Sequence, residues 1–143
     1  MQNSPNTSPA SVLETSDVAT APIEDSSLQL ALSAVHAAED RKGADIILLR
    51  TTAVSLLADY FVIITGFSKV QVRAIAYTIA DAVEEDLQRL PKHMEGQGEA
   101  SWVLLDYGDV IVHVMMPQDR EFYDLEAFWG HAEKVDYAEL LTN

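Results

Sequence analysis

The pattern of apolar and polar positions divides the chain into a weakly patterned start and a strongly patterned remainder. Residues 1–26 are rich in Ser, Thr, Pro, Asn and Ala and contain no aromatic residue, Lys or Arg. Such a segment buries too little apolar surface to offset the entropy of ordering, so a disordered tail is expected ahead of a single domain over 27–143. Ser26 or Ser27 can cap a helix running to about Lys42, with Leu28, Leu32, Val35 and Ala38 on one stripe and Gly43 placed to end it. His36 adjoins that stripe and reads as a half-buried helix histidine rather than a ligand. Asp45 to Arg50 is a continuous apolar run of strand length. Asp59 to Thr65 is a second strand without alternation, expected to be central and covered on both faces. The connection 51–57 is too short for a helical crossover, so these two strands are expected to be antiparallel neighbours. Ser68 then caps a long helix to about Leu90, with Val72, Ile75, Ala76, Ile79, Ala80 and Val83 as its buried stripe and Pro91 as its stop.

The stretch Ser101 to Met116 is the organising element. Two β-branched, apolar runs surround Tyr107-Gly108, the signal of a tight hairpin in which Gly108 takes a positive φ. With an even-length loop, Val103, Leu105 and Tyr107 share a face with Val110, Val112 and Val114. Trp102, Leu104 and Asp106 share the other with Asp109, Ile111, His113 and Met115. The first face is a core face except for Tyr107 at the tip. The second mixes Trp and His with two carboxylates beside the turn, so the tip is expected as an exposed acidic-aromatic contact site. Lys92 to Ala100 is a polar passage with a short extended piece. Pro117 opens a last main helix whose apolar face is Phe122, Leu125, Phe128 and Trp129, closed by Gly130, and Val135 to Leu141 adds one or two helical turns. The expected fold is α+β, in the order α-β-β-α-β-β-α, with a mixed sheet of about four strands covered by helices.

Composition sharpens this picture in two ways. There is no cysteine, which excludes a disulfide framework, a thiolate zinc site and a Cys nucleophile. The chain carries 23 Asp and Glu against 9 Lys and Arg, a net charge of −14. That argues against much direct contact with nucleic acid and is compatible with docking on a basic protein, although solubility alone also accounts for it. No apolar run approaches the length of a membrane helix, and the N-terminus has neither a basic nor an apolar signal region. No membrane association is expected, and the cytoplasm is the expected location.

Candidate chemistry is sparse. The turn Thr65-Gly66-Phe67-Ser68 between a buried strand and a helix start could cradle a phosphate, and a similar turn opens the nucleotidyltransferase fold. That chemistry needs carboxylates converging on Mg²⁺ shortly downstream, and here the next acid is Asp81. A plain turn with a Ser cap is preferred. Asp106 and Asp109 could be read as an acid pair, but Asp is common in turns and no nucleophile or second base stands at recognisable spacing. The four histidines are scattered, and His113, alternating with Ile111 and Met115, reads as a packed strand histidine. No catalytic residue, metal ligand or cofactor is assigned.

Four segments together resemble a known family. They are Asp59 to Ser68, Gln71 to Ala76, Trp102 to Val114, and Arg120 to Glu126 with Trp129. The resemblance, over about residues 28–130, is to the ribosomal silencing factor family (RsfS, also called Iojap), and the Trp-(x)3-Asp-Tyr-Gly-Asp-Val-Ile-Val-His block is specific to it. It implies a nucleotidyltransferase-like scaffold without catalysis. It also implies binding to the large (50S) ribosomal subunit through large-subunit ribosomal protein fourteen, exclusion of the small subunit, and repression of translation when nutrients are short. Organellar relatives assist large-subunit biogenesis, which leaves that role open for this chain, and family members tend to form homodimers. The resemblance places the ribosome-facing surface on Trp102, Asp106, Tyr107 and Asp109, with His113 and Glu95 as weaker members.

Overall fold

A computed structural model describes residues 16–52 and 58–141, with side chains from residue 26 onward. In chain order the elements are α1 (Ser16–Asp40), β1 (Ala44–Arg50), β2 (Tyr60–Thr65), α2 (Lys69–Leu87), β3 (His93–Glu95), β4 (Trp102–Asp106), β5 (Val110–Met115), α3 (Pro117–Tyr123), α4 (Leu125–Phe128), β6 (Glu133–Lys134) and α5 (Tyr137–Leu141). One six-stranded sheet runs in the order β3-β4-β5-β2-β1-β6. The β2–β5 pair is parallel and the other pairs are antiparallel. The sheet is thus mixed, as expected, and is widened by two short edge strands, β3 and β6.

Side-chain alternation splits the core into two layers. Leu48, Tyr60, Val62 and Ile64 join Val103, Leu105, Val110, Val112 and Val114 on one face. Against it lie Leu30, Ala34, Val35 and Ala38 of α1 and Val72, Ile75, Ala76, Ile79 and Val83 of α2. On the other face Leu49, Phe61, Ile63 and Met115 are packed by Trp102, Ile111, Leu125 and Trp129. Every residue of β2 is buried, as its unbroken apolar run demands of a strand covered on both sides.

The expected start and end of two helices are corrected. α1 begins at Ser16 rather than at a cap on Ser26 or Ser27, and the first fifteen residues of the expected tail lie outside the described residues. Ser27 is instead a buried helix residue. α2 has the expected cap, with Ser68 Oγ accepting from the Gln71 N–H at 3.1 Å. Gln71 returns the interaction by accepting from Phe67 N–H at 2.7 Å and donating to the carbonyls of Arg41 and Lys42, which locks the start of α2 to the end of α1. α2 ends at Leu87, short of Leu90. Gln88 takes the left-handed conformation (φ 55°), and Pro91 disfavours helical geometry at the residue before it.

The last main helix is two helices. Asp124 adopts φ 47°, which breaks the chain between α3 and α4, and its side chain caps α4 at Ala127 N–H. Arg120 makes a forked pair with Glu126, Nε to Oε1 at 3.2 Å and Nη2 to Oε2 at 2.9 Å, and donates to Thr65 Oγ1 at 2.8 Å. The break turns Phe122 and Phe128 outward, 80% and 77% exposed, against the expectation that both would be buried.

Candidate functional site

The hairpin β4–β5 has the expected register, with Trp102 opposite Met115, Leu104 opposite His113 and Leu105 opposite Val112. Tyr107 N–H donates to the Val110 carbonyl at 2.9 Å, so the turn residues are Gly108, with φ 93°, and Asp109. Asp106 Oδ1 accepts from the Gly108 N–H at 2.8 Å, the usual work of an Asp beside a turn.

The tip is less exposed than expected, and two of the expected contact residues, Tyr107 and Asp109, lie toward the helix side. Tyr107 is 1% exposed and faces the helices. Burial pushes its phenol up to about 12, a rise that the nearby Arg89 charge partly offsets. Asp109 also turns toward the helices rather than sharing the Trp102 face. It accepts from Ser27 Oγ at 2.6 Å and from Arg89 Nη1 and Nη2 at 3.1 and 2.8 Å. Burial alone would raise the Asp109 carboxyl, but the Arg89 and Ser27 hydrogen bonds and the Arg89 charge outweigh it and hold the group below its ordinary range. Arg89 also donates to the Tyr107 carbonyl at 2.9 Å. These residues staple the hairpin tip to α1 and to the end of α2. Asp106 and Asp109 have separate partners and do not converge as an acid pair.

The opposite face of the hairpin carries a continuous aromatic seam. Starting from the exposed Phe122, it passes to Tyr123 (4.9 Å between ring centroids), Trp102 (4.8 Å), His113 (5.8 Å), Phe61 (5.3 Å), Trp129 (4.9 Å) and the exposed Phe128 (5.1 Å). Trp102 Nε1 donates to His113 Nδ1 at 3.0 Å, which puts the imidazole proton on Nε2. Among the described residues, that buried Nε2 has no hydrogen-bond partner. Burial drives the His113 pKa down to about 4, so the ring is neutral near pH 7. His113 is therefore the packed strand histidine that its alternation suggested, and it orients the indole. Glu95 lies on edge strand β3 opposite Leu104, exposed beside Trp102. Phe122 and Phe128 expose much of their ring surface, and Tyr123 is 52% exposed. Of the expected site residues, the fold gathers Trp102, His113, Asp106 and Glu95 on this face and places Tyr107 and Asp109 on the helix side. Phe61, Trp129, Tyr123, Phe122 and Phe128 complete the seam without having been singled out as site residues. The last two were legible as aromatic, but an unbroken helix would have pointed them inward.

The description "Ribosomal silencing factor during starvation" belongs to the protein family whose sequence pattern matches residues 24–143. The chain belongs to the ribosomal silencing factor family. It is 46% identical over 103 residues to the ribosomal silencing factor RsfS of Bacillus subtilis, covering 72% of this chain and 86% of that protein. It is 36% identical over 112 residues to the chloroplastic protein Iojap of Zea mays, covering 76% of this chain and 47% of that longer protein. A crystal structure from Chromobacterium violaceum superposes with a TM-score of 0.70 at 40% identity, covering 72% of this chain and 85% of that one. A second, from Bacillus halodurans, gives 0.64 at 38%, covering 76% and 95%. The α+β sheet described above is thus the silencing-factor fold. The Trp-to-His block that carried the resemblance forms its hairpin, with Trp102 and His113 at the centre of the seam.

Proposed function

We propose that this chain binds the large (50S) ribosomal subunit through large-subunit ribosomal protein fourteen, blocks the small subunit from joining, and so represses translation in the cytoplasm under nutrient limitation. Family membership supports the class of function. The observation that carries the location is the aromatic seam, an ordered stripe with exposed rings at both ends on a strongly acidic chain. Aromatic rings on a face that also carries Glu95 and Asp106 suit a basic protein surface, since Trp and Tyr serve as anchors and the charge speeds encounter. Ribosomal RNA would repel the same charge, which favours a protein contact over an RNA contact. The surface is Trp102 with Tyr123 and Phe122, flanked by Glu95 and Asp106; Tyr107 and Asp109 act behind it by holding the hairpin. The chain acts by occupancy, without a reaction of its own.

The test is co-sedimentation with purified 50S subunits, followed by addition of small subunits. Wild type is expected to pellet and to reduce formation of joined ribosomes. Trp102→Ala, shown folded by circular dichroism, is expected to bind about 30-fold more weakly, the effect of losing a central aromatic anchor. Equal binding by the variant would move the docking surface elsewhere on the fold.

A second reading has a specific observation behind it. One relative, 29% identical over 87 residues, is the mouse protein named "Mitochondrial assembly of ribosomal large subunit protein 1". Assembly of the large subunit would use the same surface; accumulation of immature large subunits in a deletion strain at normal nutrient levels would favour it over silencing.

The exposed Phe122 and Phe128 also support a homodimer that covers the seam and competes with docking. Light scattering at high micromolar concentration is expected to give the mass of a dimer for wild type and of a monomer for a Phe122→Ser, Phe128→Ser variant. A monomeric wild type would remove this proposal.

A further inference from the structure

Beside Trp102 the surface folds into an open groove of about 300 Å³ lined by Glu95, Gly96, Trp102 and Leu104. Three features of its construction stand out. Its floor is apolar, since Leu104 and the indole are neighbours on one face of β4. One wall is backbone: Gly96, at φ 90°, lies so close to the Trp102 carbonyl that a side chain there would overlap it. That wall is held from behind by Arg73 of α2, whose Nε and Nη2 donate to the carbonyls of Gln97 and Gly98 at 2.9 and 3.0 Å. Glu95, exposed on edge strand β3, lines the remaining side, and among the described residues no Lys or Arg lines the groove.

We propose that this groove receives a single arginine side chain of the partner, with its guanidinium against the Trp102 indole and its N–H fork on the Glu95 carboxylate. An indole beside a carboxylate matches the two preferences of a guanidinium, a π surface and a planar pair of acceptors. The volume of about 300 Å³ is sufficient for one long side chain. A phosphate or an acidic residue would meet Glu95 and the net charge of −14, with no cation among the described lining residues. A plain apolar side chain would fit the floor but would bury part of the Glu95 carboxylate without a partner. Arginine also satisfies the carboxylate. This subsite rests on the docking face proposed above and names the chemistry it recognises.

The test has two arms. In the first, the full chain, labelled for amide and indole NMR, is titrated with N-acetyl-arginine amide and with the uncharged isostere N-acetyl-citrulline amide. Arginine is expected to shift the Gly96 and Leu104 amides and the Trp102 indole N–H, and citrulline to leave them in place. Glu95→Gln, a surface change that leaves the fold intact, is expected to weaken the arginine response about threefold, the size of one exposed charge pair beside an aromatic ring. In the second arm, 50S co-sedimentation of wild type and Glu95→Gln is compared at low and moderate salt. Glu95→Gln is expected to bind more weakly at low salt, with a shallower salt dependence. Citrulline acting as well as arginine, shifts mapping away from the groove, or an unchanged response in Glu95→Gln would each overturn the subsite. If wild type and Glu95→Gln pellet equally, the groove is not the docking subsite and the silencing reading stands. If arginine selects the groove but wild type does not pellet, the subsite stands and the silencing reading falls.

Discussion

Gly96→Ala is expected to lower the stability of the fold by about 3 kcal/mol, whereas Gly98→Ala, two residues on, changes it by less than about 0.5 kcal/mol. A Cβ at Gly96 would sit 2.1 Å from the Trp102 carbonyl oxygen, and the φ of 90° is one that L side chains rarely adopt. Neither problem is soluble by a rotamer change, because the obstacle is backbone on both sides. Relief requires the segment 96–100 to move, and that segment is pinned. Ala100 N–H donates to the Gly96 carbonyl at 2.8 Å, Ala100 itself holds φ 58°, and Arg73 grips the Gln97 and Gly98 carbonyls between them. At Gly98 an added Cβ meets nothing within 4 Å, which makes it an internal control for glycine entropy. Urea unfolding followed by far-UV circular dichroism reads both variants. Because the wall of the Trp102 groove moves with Gly96, its variant is also expected to shift the Trp102 indole N–H resonance, and Gly98→Ala to leave it in place. Equal stability of the two variants would show that the 96–100 turn is looser than this geometry.

The second large effect is a loss of stability in mild acid that depends on His113. The unfolded chain binds a proton on this histidine near pH 6.5, while in the fold its pKa is about 4 because the ring is buried between Trp102 and Phe61. Between those values the unfolded state holds a proton that the folded state refuses, so stability falls as pH is lowered through this window. It is complete above about pH 6.5 and the loss levels off below about pH 4. The gap corresponds to about 3 kcal/mol. Paired carboxylates such as Asp109 have depressed folded-state values, and their loss of stability comes at still lower pH. His113→Gln keeps an acceptor for the Trp102 N–H and cannot titrate in this range. Its stability at pH 7 is expected to be lower than that of wild type, and its slope between pH 6.5 and 4 shallower by about 3 kcal/mol in total. Urea midpoints at four or five pH values measure the difference. Parallel profiles would mean that another group carries the acid sensitivity.

Local signals in the chain were sufficient where a single element satisfies them. The β4–β5 register, the positive φ at Gly108, the Ser68 cap, the buried stripe of α2 and the double coverage of β2 were all readable, because each follows from side-chain period, turn chemistry or an unbroken apolar run. The family was readable from the Trp-to-His block for a related reason, since that block is one continuous hairpin. The chemistry of its face was only half readable. Parity separated Val103, Leu105 and Val112 from Trp102, Leu104 and His113 correctly, but it stops at the turn. There Asp109 bends to the helix side to meet Arg89 and Ser27, partners 20 and 82 residues away.

The amino-acid sequence by itself determined the four main strands, the cap and stripe of α2, the facing of the hairpin strands up to the turn, the acidic charge and the family. Tertiary structure alone decided which aromatic rings are buried and which are exposed. Tyr107, at a hairpin tip, is covered because α1 and α2 extend over the end of the sheet. Phe122 and Phe128 sit in an amphipathic pattern, yet they are exposed because Asp124 breaks the helix so that Arg120 can hold Glu126 and Thr65 together. Exposure is a property of what packs against a residue. The packing partners here come from distant segments whose approach no local period encodes.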